Sequence, residues 1–144
     1  LKSRIVKNVE IAKLLVVDDE EEFLETLAKR LRARSFEVKT ATSGEKALAT
    51  LEEYSADVVL LDVRMPGMGG VETLCAIKDR CPEVETIIYT GYADTKTAMS
   101  VMEMGAFDYL VKPIPIDELV YKIQDAHKRR SLKQQRISKR QTGG

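Results

Sequence analysis

The stretch that most constrains this chain is Val58-Val59-Leu60-Leu61, a run without a polar position that stops on a carboxylate, Asp62. Pro66, Gly67, Gly69 and Gly70 follow closely. Such a run has no face to offer water, so it reads as a strand of a parallel sheet, buried on both sides, whose end delivers Asp62 to a loop. In open parallel α/β sheets ligands bind beyond the carboxyl ends of the strands, which puts Asp62 where chemistry takes place. The competing reading is that Asp62 merely caps a turn or helix.

The remaining chain supplies the partners that such a strand needs. Lys13 to Val17 is a short apolar strand ending on Asp18-Asp19-Glu20-Glu21-Glu22, and a helix with Phe23, Leu24, Leu27, Ala28 and Leu31 at helical spacing follows. Acids in that first turn suit the helix dipole, which accounts for Glu20 to Glu22. It accounts less well for two successive aspartates at a strand end, whose repulsion a bound cation would relieve. Phe36 to Ala41 alternates as a strand does, and Thr42-Ser43-Gly44-Glu45 gives a capping-box start to a helix with Ala47, Leu48, Leu51 and Tyr54 inward. After Asp62 a helix is expected from Gly70 to Arg80, with Val71, Leu74 and Ile77 inward and Pro82 beyond its end. Val84 to Tyr89 is the fourth strand, ending at Thr90-Gly91. Asp94 caps a helix with Ala98, Val101 and Met102 inward, stopped by Gly105. Phe107 to Val111 is the fifth strand, then come Lys112-Pro113 and a helix from Asp117 using Leu119, Val120 and Ile123. Five strands alternating with five helices at βαβ spacing predict a doubly wound five-stranded parallel α/β sheet.

Composition adds bounds. A length of 144 residues suits one domain with a sizeable core. No run approaches the ~18 apolar residues of a membrane span. The opening Leu1-Lys2-Ser3-Arg4 has neither an initiator Met nor a signal peptide's apolar run, so we expect a processed or excised chain in a cytoplasmic setting. Cys75 and Cys81 are read as reduced thiols, their spacing suiting neither a disulfide framework nor a metal pair. The net charge of zero hides an asymmetry, because all 23 acids lie at or before Asp125 while seven cations follow Ala126.

At the strand ends stand Asp18, Asp19, Asp62, Thr90 and Lys112, which parallel strands gather on one rim. Three carboxylates call for a hard divalent cation bound through oxygen, and Mg2+ suits them. There is no phosphate-cradling or dinucleotide glycine loop. His127, the only histidine, lies in the basic tail, away from that rim. Phosphoryl transfer to a carboxylate remains: an aspartate attacks phosphorus and becomes an acyl phosphate while cations neutralise the equatorial oxygens.

Four segments in this order, Val16-Val17-Asp18-Asp19-Glu20, Leu61-Asp62-Val63-Arg64-Met65-Pro66-Gly67-Met68-Gly69-Gly70, Thr90-Gly91 and Gly105-Ala106-Phe107-Asp108-Tyr109-Leu110-Val111-Lys112-Pro113, resemble the receiver domain of bacterial two-component response regulators over residues 12 to 126. The resemblance implies the flavodoxin-like (βα)5 receiver fold, with residues 1–11 a leader and 127–144 a basic, solvated helical extension or linker to an output domain. It implies that Asp62 is the phosphoacceptor, charged by a sensor histidine kinase or phosphotransfer protein. Asp19 would then ligate Mg2+ directly, Asp18 largely through water, and the Arg64 backbone carbonyl would complete the protein ligands. Lys112, aimed by a cis Lys112-Pro113 bond, would pair with a phosphoryl oxygen, Thr90 would hydrogen-bond the phosphoryl group, and Tyr109 would be the switch aromatic. The resemblance further implies a homodimer through the face of the fourth helix, fifth strand and fifth helix, and contact with nucleic acid only through an output domain.

Gly69 stands where the family often has Asp or Asn as helix N-cap, so some local looseness is expected. Arg64 and Tyr92 occupy positions that in the family modulate water attack on the acyl phosphate, and both being large predicts slow self-dephosphorylation. Past Ala126 the seam through Ile116, Leu119, Ile123 and Ala126 meets Arg130 and Lys133, which argues against a long coiled coil. Two alternatives carry over. One is an Mg-dependent aspartyl-phosphate phosphatase, which would need an aspartate where Arg64 stands. The other is a degenerate receiver acting only as a binding module.

Overall fold

The computed structural model describes the backbone of residues 11–143 and the side chains of residues 11–136. All of the expected leader except the exposed Ile11 therefore lies outside the described residues, as do the tail cations Lys139 and Arg140 as side chains. The elements run β1 (Lys13–Val17), α1 (Glu21–Arg32), β2 (Glu37–Ala41), α2 (Gly44–Glu53), β3 (Val58–Leu61), α3 (Gly70–Arg80), β4 (Glu85–Thr90), α4 (Thr95–Glu103), β5 (Asp108–Val111) and α5 (Ile116–Gly143). The strands form one sheet in the order β2-β1-β3-β4-β5, every pair parallel. This is the flavodoxin-like arrangement that the alternation predicts.

Side chains leave a strand alternately to its two faces, and the core divides accordingly. Leu14, Val16, Leu60 and Ile87 pack with Leu24, Leu31, Leu119 and Ile123 of α1 and α5. Leu15, Val17, Val59, Leu61 and Ile88 pack with Leu48, Leu74, Ile77 and Val101 of α2, α3 and α4. β3 is the central strand, and all four of its residues are buried, as its unbroken apolar run requires. Register then aligns the strand ends: Val17 is opposite Leu61, and Thr90 is opposite Val111. The residues just beyond them emerge on one rim.

Three local expectations need correction. Ser43 does cap α2, accepting from the Lys46 amide at 3.1 Å, but Glu45 does not complete a capping box. Its carboxylate instead accepts from the Met68 amide at 3.0 Å, tying α2 to the loop after Asp62. On α4 only Val101 is buried, and Met102, read as inward, is 44% exposed with Met99 beside it. α4 packs against β5, the edge strand, so only a narrow stripe of it is covered. The tail is helical, continuing α5 without a break at Ala126, yet its first turns are solvated on one face only: Lys128, Arg129 and Leu132 are exposed, while Arg130 is buried against the sheet's lower edge.

Candidate functional site

The rim is built by extending the sheet's own ladder. The Asp18 amide donates to the Ala41 carbonyl and the Asp62 amide to the Val17 carbonyl, each at 3.1 Å, so both aspartates are held by the sheet one residue past their strands. Asp18, Asp19 and Asp62 bring carboxylate oxygens within 4.8 Å of one another, Asp18 and Asp62 buried and Asp19 exposed. Adjacent buried carboxylates repel, and the compensating charge arrives from across the sheet. The Lys112 ammonium hydrogen-bonds Asp18 Oδ2 and lies 3.4 Å from Asp62 Oδ2. It also sits 4.0 Å above the Phe23 ring, an attraction between cation and π face. Burial works to lower the Lys112 pKa, but the hydrogen bond and charge of Asp18, joined by the charge of Asp62, outweigh it and hold the group above the ordinary lysine value. The Lys112-Pro113 bond is cis.

Asp62 Oδ1 accepts from the Thr90 hydroxyl at 2.7 Å and the Arg64 amide at 3.1 Å. Thr90, at the end of β4, is buried, and its oxygen also accepts from the Tyr92 amide at 3.2 Å. The Tyr92 carbonyl in turn accepts from the Tyr109 hydroxyl. A continuous chain of hydrogen bonds thus runs from Asp62 through Thr90 and Tyr92 to Tyr109. Tyr109 is half-buried, and burial is the main force that pushes its phenol above the ordinary tyrosine pKa. The Arg64 guanidinium lies 3.6 Å from the centre of the Tyr92 ring, roofing one side of the site.

The loop between Asp62 and α3 is fixed by glycines and by α2. Gly67 adopts a φ of +74°, a conformation that L side chains rarely take. Gly70 packs so closely that a Cβ there would stand 2.3 Å from Val63 Cα and 2.4 Å from the Asp62 carbonyl oxygen. Its amide bonds the Val63 carbonyl at 3.1 Å. Gly69 offers no side-chain cap to α3, but its carbonyl accepts the Thr73 amide at 3.0 Å and the Thr73 hydroxyl at 2.8 Å.

Of the residues singled out from sequence, Asp19, Asp62, Arg64, Thr90, Tyr92 and Lys112 line one cleft of about 340 Å³. Asp18 and Tyr109 stand behind it, reaching it through Lys112 and Tyr92. Sequence reasoning missed Glu20 and Phe23 on the cleft wall, the latter read only as a core residue of α1. No local pattern separates a ring beneath a lysine from a ring in a core. The donor set, three clustered carboxylates without sulfur or imidazole, fits a hard divalent cation such as Mg2+. His127 lies at the opposite end of the sheet, 3.6 Å from Asp57. What remains at the cleft is a buried carboxylate flanked by a hydroxyl and a fixed ammonium, with Arg64 where a phosphatase would carry its second acid.

Comparison with known proteins agrees with this geometry. The family model described as the response regulator receiver domain matches residues 14–124. The chain is 35% identical over 125 residues to the regulatory protein AtoC of Escherichia coli K12, covering 87% of this chain and 27% of that protein. It is 40% identical over 111 residues to the DNA-binding transcriptional regulator NtrC of Salmonella typhimurium, covering 77% and 24%. The chain thus spans about a quarter of the length of these curated relatives. Among solved structures, a response regulator receiver domain protein from Clostridium thermocellum superposes with a TM-score of 0.80 at 38% identity, covering 85% of this chain and 98% of that one. A CheY-like receiver domain protein from Methanospirillum hungatei gives 0.82 at 27% identity, covering 86% and 99%. Fold, motif order and matched span converge, and the chain belongs to the response regulator receiver domain family, the signalling domain of two-component systems.

Proposed function

We propose that Asp62 accepts a phosphoryl group from a phosphohistidine on a sensor kinase or phosphotransfer protein and that the acyl phosphate so formed is the signal. The observation that carries this reading is the setting of Asp62: a buried carboxylate opening on a cleft, with Thr90 on one oxygen and Lys112 facing the other. An Asp62 carboxylate oxygen attacks phosphorus, the O–P bond forms as the P–N bond breaks, and the imidazole leaves with the bonding pair. Asp18, Asp19 and Asp62, with the Arg64 backbone carbonyl, would hold Mg2+, which supplies positive charge to the phosphoryl oxygens. Lys112, kept protonated by Asp18 and Asp62, pairs with another of those oxygens.

The switch runs along the hydrogen bonds that link Asp62 to Tyr109. A group of roughly −1.5 to −2 charge now stands at Asp62, and the Thr90 hydroxyl exchanges its carboxylate acceptor for a phosphoryl oxygen. Thr90 carries Tyr92 with it, and through the Tyr92 carbonyl the change reaches Tyr109. Tyr109 belongs to β5, beside α4 and α5, where Met99, Met102, Val111 and Tyr121 are exposed. That face is the one on which a homodimer would form and an output domain, if present, would be controlled. The Arg64–Tyr92 stack slows attack of water on the acyl phosphate by roofing the cleft.

The test is incubation with Mg2+ and acetyl phosphate, read by intact mass. One added phosphoryl group, absent in Asp62→Asn, supports the reading. Catalytic turnover of free phosphoesters would replace it with the phosphatase, and a missing adduct with a receiver that only binds.

A further inference from the structure

The end of the sheet opposite the phosphoacceptor holds a second ionic cluster. Glu85 opens β4 and is 1% exposed, more deeply buried than any carboxylate at the rim. Its Oε1 accepts from the Lys133 ammonium, and the Arg129 guanidinium stands 3.2 Å from its Oε2. Asp57, just before β3, meets Arg130 at 3.3 Å and His127 at 3.6 Å, and it accepts the Lys13 amide at 2.8 Å. Every one of the α5 partners lies beyond Ala126. Among the described residues before 127, the one cation near Glu85 is Lys78 of α3, at 3.9 Å and outside hydrogen-bond reach.

Positions 119, 123 and 126 of α5 are fully buried on the sheet, and helical spacing carries the same face on to 130 and 133. The chemistry of that face changes from apolar to cationic where the apolar sheet gives way to Asp57 and Glu85. A carboxylate as buried as Glu85 is costly unless paired, so the helix cannot turn away at Ala126 without stranding it. Conversely, a polar segment of this length is marginal as an isolated helix in water and needs an anchor. β3 and β4, which start at this cluster, are also the strands that end on Asp62 and Thr90.

We propose that the receiver ends at Lys133 rather than Ala126, and that Asp57 and Glu85 clamp the first two turns of the extension, so that the linker leaves as an arm of fixed direction. The clamp stands independently of the phosphorylation chemistry. Amide hydrogen exchange on the full chain tests it. Residues 127–133 should be protected to the same degree as 119–126. In Asp57→Asn combined with Glu85→Gln, protection of 127–133 should fall by about 100-fold or more while 119–126 stay protected. Should that variant lose protection throughout, Arg130→Met combined with Lys133→Met decides, because it leaves the sheet's sequence untouched. Selective loss over 127–133 in either variant supports the clamp. Free exchange of these amides in the parent chain, or unchanged protection in both variants, overturns it.

Discussion

Two neighbouring glycines, Gly69 and Gly70, should respond in opposite directions to a side chain, and the contrast probes how the phosphoacceptor loop is held. A Cβ on Gly70 would meet Val63 Cα at 2.3 Å and the Asp62 carbonyl oxygen at 2.4 Å. Restoring ordinary carbon contact of about 3.5 Å therefore requires a displacement of about 1 Å. Both obstacles are backbone, so no rotamer change relieves them: either α3 withdraws from the loop or the Asp62 peptide moves. Overpacking of this kind costs about 1–3 kcal/mol, and rigid backbone on both sides puts Gly70→Ala at about 3. At Gly69 the nearest atom to a new Cβ is the Val63 carbonyl oxygen at 3.9 Å, and the extended backbone there suits an N-cap. Gly69→Asp should then gain a few tenths of a kcal/mol, about the usual difference between glycine and aspartate caps, with the carboxylate also favoured by the helix dipole. Urea unfolding gives both numbers, and the rate of acetyl phosphate labelling reports whether Asp62 has moved. Unfolding free energies for Gly70→Ala within about 0.5 kcal/mol of the parent, the usual range for harmless substitutions, would show that the close approach does not hold the loop.

Two further outcomes follow from the charges around the cleft. Arg64→Asn and Tyr92→Ala should each shorten the acyl phosphate lifetime by about 2–5-fold, the rate equivalent of one exposed cation–π contact. The double variant should fall no further than the larger single effect, since both remove the same stack; a time course of adduct loss after donor removal measures this, and additive losses would refute a shared roof. Lys112 is held above the ordinary lysine value of 10.5, so its contribution to stability is full below that value and disappears as pH rises through the higher folded value. The difference in melting temperature between the parent and Lys112→Met should thus be constant at neutral pH and change only above about 10.5. A change confined to pH 6–9 would contradict the sign of the shift.

How far the sequence disclosed this molecule depended on whether a signal was local or relational. Val58 to Leu61 announced a buried strand because four apolar residues in succession admit few other settings, and the strand-end residues announced the rim because parallel strands leave no freedom over where their ends gather. Met102 misled because helical spacing marks a face without revealing how much sheet lies opposite, and at the β5 edge little does. Glu45 matched a capping pattern, yet its carboxylate found the Met68 amide, a partner 23 residues away in sequence. Arg130 and Lys133 are the sharpest case. Taken alone, cations at seam positions mean that the seam has ended. Yet Glu85 was visible as the one charge in its strand and Asp57 at the head of another, two carboxylates for which the described residues before 127 provide no hydrogen-bonding cation. A buried charge in a strand is a demand for a partner, and a charged continuation of a buried helical face is an offer of one. Reading the two together places α5 across the floor of the sheet, and the helix that follows Lys112 at the rim is therefore also held at the opposite end.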